Sequence, residues 1–161
     1  EPKSIDLNEL QPIEEAERIK TEYMQREHIK ILEKVTDKAF YSPSLDYIQI
    51  PCKEQYQNIE EFYSTLFHEI THSSGHKTRL DREDVKDCMY FGSENYSKEE
   101  LCAELGSAFL INKLGIASSK SFNNSTAYIQ SWLRVLRNDK KFIISASSRA
   151  EKAVKYILNE Q

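Results

Sequence analysis

The stretch from Asn58 to Gly75 constrains this chain more than any other. Asn58-Ile59-Glu60-Glu61 reads as a helix start, with Asn58 as N-cap and Glu61 reaching back as in a capping box. Ile59, Phe62, Tyr63, Leu66, Phe67 and Ile70 then recur with helical spacing and form a broad apolar face. Thr65, His68 and His72 fall on a separate polar stripe, and Gly75 closes the helix. The segment must therefore pack as a buried helix that carries two histidines four residues apart. Side chains at i and i+4 stand one above the other, so His68 and His72 can offer two imidazole nitrogens to one metal ion. Glu69 lies one step round the helix, beside the open side of such an ion, where it can take a proton from an attacking water. His68-Glu69-Ile70-Thr71-His72 is an instance of the HExxH pattern of zinc peptidases. The competing reading, two surface histidines on an amphipathic helix, has to explain their place inside an apolar pattern.

A catalytic zinc site usually has three protein ligands, and the next strong helical pattern supplies the third. It opens at Ser97-Lys98-Glu99-Glu100 and runs to Gly115. Ser97 and Glu100 fit a capping box, which gives Glu100 a structural task. Glu104 has none and shares a face with Leu101, Ala108 and Ile111, where an uncompensated carboxylate is costly. The expected ligand set is therefore His68, His72 and Glu104. Glu100 is the alternative, and whichever of the two does not bind metal is free to accept a proton from a ligand imidazole. His76 follows His72 by four residues but lies beyond Gly75. It is either an accessory ligand or oxyanion partner, or a cap at the helix end. The position six residues after His72, where metzincins have a third histidine, is Thr78.

Phe62 to Leu80, Phe91-Gly92-Ser93, Glu99-Glu100-Leu101-Cys102-Ala103-Glu104, Tyr128-Ile129-Gln130-Ser131-Trp132-Leu133 and Asn138-Asp139-Lys140 together resemble a known family. It is the zincin-like metallopeptidase domain of ArdC-type antirestriction proteins, found also in polyvalent proteins of plasmids, conjugative elements and phages. The resemblance covers roughly residues 38–158. It implies a zincin fold, zinc at His68 and His72, Glu69 as catalytic carboxylate and a glutamate ligand from the second helix. Full-length members carry an N-terminal DNA-binding domain for which this chain shows no room, so DNA binding is not expected of this domain alone. The first residue is Glu rather than Met, as in a fragment or a processed chain.

At 161 residues the chain is long enough for one well-packed core. No apolar run approaches a membrane span of about 18 residues, and no signal peptide is visible. Three cysteines, Cys52, Cys88 and Cys102, without a C-x-x-C pair point to a reducing, cytoplasmic setting. The net charge of −4 is uneven: residues 1–112 carry −10 and residues 113–161 carry +6. An acidic whole argues against tight DNA binding, and the basic C-terminal helices are expected to dock on the acidic part.

The expected fold is α+β: a small twisted sheet, the HExxH helix beneath it and further C-terminal helices. Residues 1–37 form an arm and a helix from Pro12 to about Glu27, and residues 38–161 form the zincin-like domain, within one globular unit overall. Residues 28–35 fit either continued helix or a first strand. Ala39-Phe40-Tyr41 and Tyr47-Ile48-Gln49-Ile50 read as strands, with Tyr47–Ile50 the candidate sheet edge for an extended peptide. Residues 81–96 and 117–125 read as loops, and helices are expected near 125–138 and 140–158. Trp132, Leu133 and Leu136 are expected to pack, as is Tyr128, and Arg79 to pair with Asp81, Asp84 or Asp87. The expected function is zinc-dependent hydrolysis of peptide bonds in a peptide or protein substrate, in an antirestriction or mobile-element context. The alternative is a zinc-stabilised module that blocks restriction enzymes or binds DNA without proteolysis.

Overall fold

A computed structural model of the chain describes residues 7–86, 93–116, 118–137 and 139–161. Helix α1 (Glu14–Glu27) is followed by β1 (Lys30–Lys34), β2 (Phe40–Ser42), β3 (Tyr47–Pro51) and then α2 (Ile59–Ser74). A short α3 (Glu83–Lys86) precedes the long α4 (Glu94–Lys113), and α5 (Ser119–Val135) and α6 (Lys140–Ile157) complete the order. The result is the α+β architecture expected.

The sheet has the order β1-β3-β2, with β1 parallel and β2 antiparallel to β3. Tyr47–Ile50 is therefore the central strand and not the edge. The ambiguous residues 28–35 supply the strand on its other flank, because the left-handed His28 ends α1 and turns the chain into β1. The burial pattern fits this position: Ile48 and Ile50 are fully buried, while the β2 residues are half-buried.

One core joins Ala16, Ile19 and Tyr23 of α1 to Ile48 and Ile50 of β3, the apolar face of α2, Leu110 and Ile111 of α4, and Val154 and Ile157 of α6. A buried Ile, Leu, Val or Phe of this set contributes roughly 1.5–3 kcal/mol, and α1 shares this core with the helices of the C-terminal half. A second cluster packs Leu101, Cys102 and Leu105 of α4 against Leu136, Ala146 and Ala150. Trp132 and Leu133 lean on this cluster, partly buried. Helix α4 thus serves two cores, and its contact with α2 is close. A Cβ on Gly106 would stand 2.6 Å from Thr71 Cγ2, so only glycine lets the two helices approach this far.

Three boundaries differ from the sequence reading. Helix α4 begins at Glu94, where the Ser93 hydroxyl accepts the Tyr96 N–H at 3.1 Å. Ser97 lies inside the helix, its hydroxyl bonded to the Ser93 carbonyl. The polar stretch 117–125 is largely helical because Ser118 and Ser121 form a reciprocal capping box that starts α5 six residues earlier than expected. The short α3 occupies part of 81–96, while 87–92, with Cys88, Asp87 and Phe91-Gly92, lie outside the described residues, as does Asn138.

Arg79 makes its ion pairs with Asp46 and Glu27, and Asp84 pairs with Arg149. The Arg79–Asp46 contact is bidentate at 2.8 Å for both bonds, and Arg79 also donates to the Ser73 carbonyl. The expected partners were Asp81, Asp84 or Asp87, the last outside the described residues, but the fold brings Asp46 of the β2–β3 turn and Glu27 at the end of α1 to this arginine.

Candidate metal centre

Helix α2 forms as its pattern requires. The Asn58 side chain accepts the Glu61 N–H at 2.9 Å, and Phe62, Tyr63, Leu66, Phe67 and Ile70 are fully buried. Their burial fixes the rotation of the helix and turns His68, Glu69 and His72 toward α4 and β2.

The Nε2 atoms of His68 and His72 lie 3.0 Å apart. One carboxylate reaches both: Glu100 Oε2 is 3.2 Å from His68 Nε2, and Glu100 Oε1 is 3.1 Å from His72 Nε2. His68, His72 and Glu100 each offer one ligand atom, all within 4.8 Å of one another. Glu104, expected as the third ligand, stands elsewhere, with Oε1 3.2 Å from Nδ1 of His68 on the ring's far side. The converging carboxylate is thus the one that the sequence reading had occupied with capping. With the helix starting at Glu94, Glu100 is free of that task. Two imidazole nitrogens and one carboxylate oxygen are a donor set that suits zinc, and iron or manganese as well.

Behind His72 lies a residue that the sequence reading passed over. Glu99 is fully buried, and its Oε1 is 3.1 Å from His72 Nδ1. Arg82 grips the same carboxylate through Nη2 and Nε at 2.7 and 3.0 Å. A signal for Glu99 was present: it shares a helix face with Cys102, Ala103 and Gly106, small residues of the kind that admit close packing. His76 is turned away from the centre, with Nδ1 on the Thr78 hydroxyl at 2.8 Å.

Electrostatics tie these groups together. Burial works against a charged His72, but the carboxylate of Glu100 and hydrogen bonds to Glu100 and Glu99 outweigh it and hold His72 up at about 9. Burial lowers His68 in the same way, and hydrogen bonds to Glu100 and Glu104 carry it well above the ordinary histidine value. Glu100 itself is pulled well below the carboxylate range against the effect of burial, chiefly by the His72 charge. An entering cation must displace the protons that these contacts favour. Burial pushes the Glu69 carboxyl up, more than the two imidazoles draw it down.

Two cavities meet at this centre. One, of about 500 Å³, runs along α5 and is bordered by Thr65, Glu104, Asn124, Tyr128 and Trp132. The other, of about 320 Å³, lies against β2 at Phe40 and Tyr41. His68, Glu69 and Glu100 border both. Tyr128, expected to pack, is 58% exposed on the wall of the larger one.

The sequence profile of the zincin-like metallopeptidases matches residues 16–149. The chain belongs to that family. Among solved structures, the zincin-like chain resembles the Mn(II)-bound antirestriction ArdC protein from the R388 plasmid, with a TM-score of 0.72 and 34% identity over 96% of this chain. The metal-free structure of the same ArdC protein matches with a TM-score of 0.68 over 97% of this chain. In both cases the match spans 54% of ArdC. In sequence, this zincin-like chain is 37% identical to the DNA primase TraC of Escherichia coli over 158 residues, which is 94% of this chain and 14% of TraC. It is also 37% identical over 123 residues to the uncharacterized protein y4eC of Sinorhizobium fredii, covering 76% of this chain and 39% of y4eC. This chain thus spans about half or less of each of these relatives.

Proposed function

We propose that this domain is a metal-dependent peptide hydrolase of the antirestriction or mobile-element kind, with a peptide or protein segment as substrate. His68, His72 and Glu100 hold a divalent cation, zinc in the first instance, and manganese is the ion in the related ArdC structure. That cation, when bound, supplies Lewis acidity toward the scissile carbonyl and acidifies water at neutral pH. Glu69 is the base: it takes a proton from the attacking water and returns it to the leaving amine. Burial raises its carboxyl above the ordinary glutamate value.

The observation that carries this reading is the position of Glu69 where the two cavities meet, beside the three converging ligand atoms. A substrate crossing from one cavity to the other passes over Glu69. The half-buried β2 flanks the smaller cavity and is an outer strand of the sheet. It therefore takes over the part assigned to Tyr47–Ile50: an extended peptide can lie alongside it. Glu104 buttresses His68 through Nδ1.

Glu69→Gln tests the reading. The variant should bind the cation as the parent does and lose peptide hydrolysis on an unfolded protein substrate by a factor of about 10²–10⁴. Undiminished hydrolysis would refute Glu69 as the base. Full protection against a restriction enzyme by that inactive variant would support the binding module instead.

A further inference from the structure

Glu99 and Arg82 are two buried charged residues that the proposed reaction does not use. The carboxylate of Glu99 has no exposed surface, yet every contact around it is directed. Oε1 accepts from His72 Nδ1 at 3.1 Å and from Arg82 Nη2 at 2.7 Å, and Oε2 accepts from Arg82 Nε at 3.0 Å. Arg82 is anchored in turn to the last turns of α2: Nη2 donates to the Thr71 carbonyl at 2.6 Å and Nη1 to the Ser74 hydroxyl at 2.9 Å. Space for the guanidinium exists because residue 75 is glycine, since a Cβ there would stand 2.8 Å from Arg82 Cζ. A buried carboxylate with one arginine and one imidazole is compensated in charge, and both of its oxygens accept directed hydrogen bonds.

We propose that Glu99 and Arg82 are a positioning pair for His72. Glu99 accepts the Nδ1 proton and so directs the Nε2 lone pair at the cation, while Arg82 holds Glu99 in place and balances its charge. The proposal rests on His68, His72 and Glu100 as the ligand set. It separates the two imidazoles. His72 is locked from behind inside the protein, whereas the carboxylate behind His68, Glu104, borders the larger cavity. Carboxylates that hold a ligand imidazole in this way typically change metal affinity by about 10- to 100-fold when removed.

The test uses the full chain and two probes, Zn²⁺ affinity by competition with a chromophoric chelator and the visible absorption of the Co²⁺-loaded protein. Glu99→Gln combined with Arg82→Met removes both charges together and keeps most of the volume. The metal-free double variant should fold, bind one Zn²⁺ about 10- to 100-fold more weakly than the parent, and give a changed Co²⁺ spectrum. Parental affinity and an unchanged spectrum in the folded variant would overturn the proposal and leave the pair a helix-packing device. Should the double variant not fold, Arg82→Lys serves, keeping charge without the bidentate grip. A smaller loss in the same direction supports the proposal, and none overturns it. A parent chain that takes up neither ion overturns the ligand set itself, and this proposal with it.

Discussion

Arg79 and Arg82 are three residues apart in the segment after α2, and each is buried and satisfies a carbonyl at the end of that helix. Arg79 donates to the Ser73 carbonyl and holds Asp46 and Glu27. Arg82 donates to the Thr71 carbonyl and holds Glu99. Arg79 ties the helix end to the β2–β3 turn and to α1. Arg82 ties it to α4 and, through Glu99, to a candidate metal ligand. The same device thus serves architecture on one side of α2 and the centre on the other. The partner decides which: Asp46 retains 29% side-chain exposure, and the Glu99 side chain has none.

That contrast can be broken by removing each arginine in turn. Arg82→Ala strands a buried carboxylate and should lower the stability of the metal-free protein by about 3–5 kcal/mol. It should also weaken metal binding. Arg79→Ala should cost less, roughly 1–3 kcal/mol, because Asp46 can turn to water, and it should leave metal affinity at the parental value. Denaturant unfolding with parallel zinc titrations reads both quantities. Equal losses of affinity in the two variants would erase the distinction.

A smaller effect sharpens the Arg79 side. Asp46 is partly buried, which raises it, but hydrogen bonds from Arg79 and Tyr41 bring it below its ordinary value when folded. Its contribution is therefore complete above the unfolded value of about 4 and is lost as pH falls through the lower, folded value. Thermal midpoints should fall in that acid range for the parent and fall less steeply in Asp46→Asn. Parallel profiles would remove Asp46 from the account.

Much of this was legible in the sequence because it depended on local pattern. The apolar face of α2, its Asn58 cap and the i, i+4 histidines are short-range properties, and they place two ligand candidates and the proposed base on one helix. What escaped depended on pairing at a distance. The flank of β3 could not be assigned while residues 28–35 were ambiguous, and the edge strand followed from that choice. The choice between Glu100 and Glu104 turned on the start of α4, because a cap at Ser97, four residues after the observed cap at Ser93, made Glu100 seem occupied. Glu99 and Arg82 could be paired only once α4 lay against the end of α2. Ser118 and Ser121 show the opposite failing, in which residues typical of loops instead start a helix by capping it.

The central claim is that Glu100, rather than Glu104, completes the ligand set with His68 and His72. The direct measurement is the zinc content per chain of purified Glu100→Ala and Glu104→Ala beside the parent, after removal of all metal and equilibration with equal Zn²⁺. The account predicts about one zinc in the parent, near-stoichiometric zinc in Glu104→Ala and a large loss in Glu100→Ala. Zinc retained by Glu100→Ala and lost from Glu104→Ala would contradict it and return Glu104 to the metal.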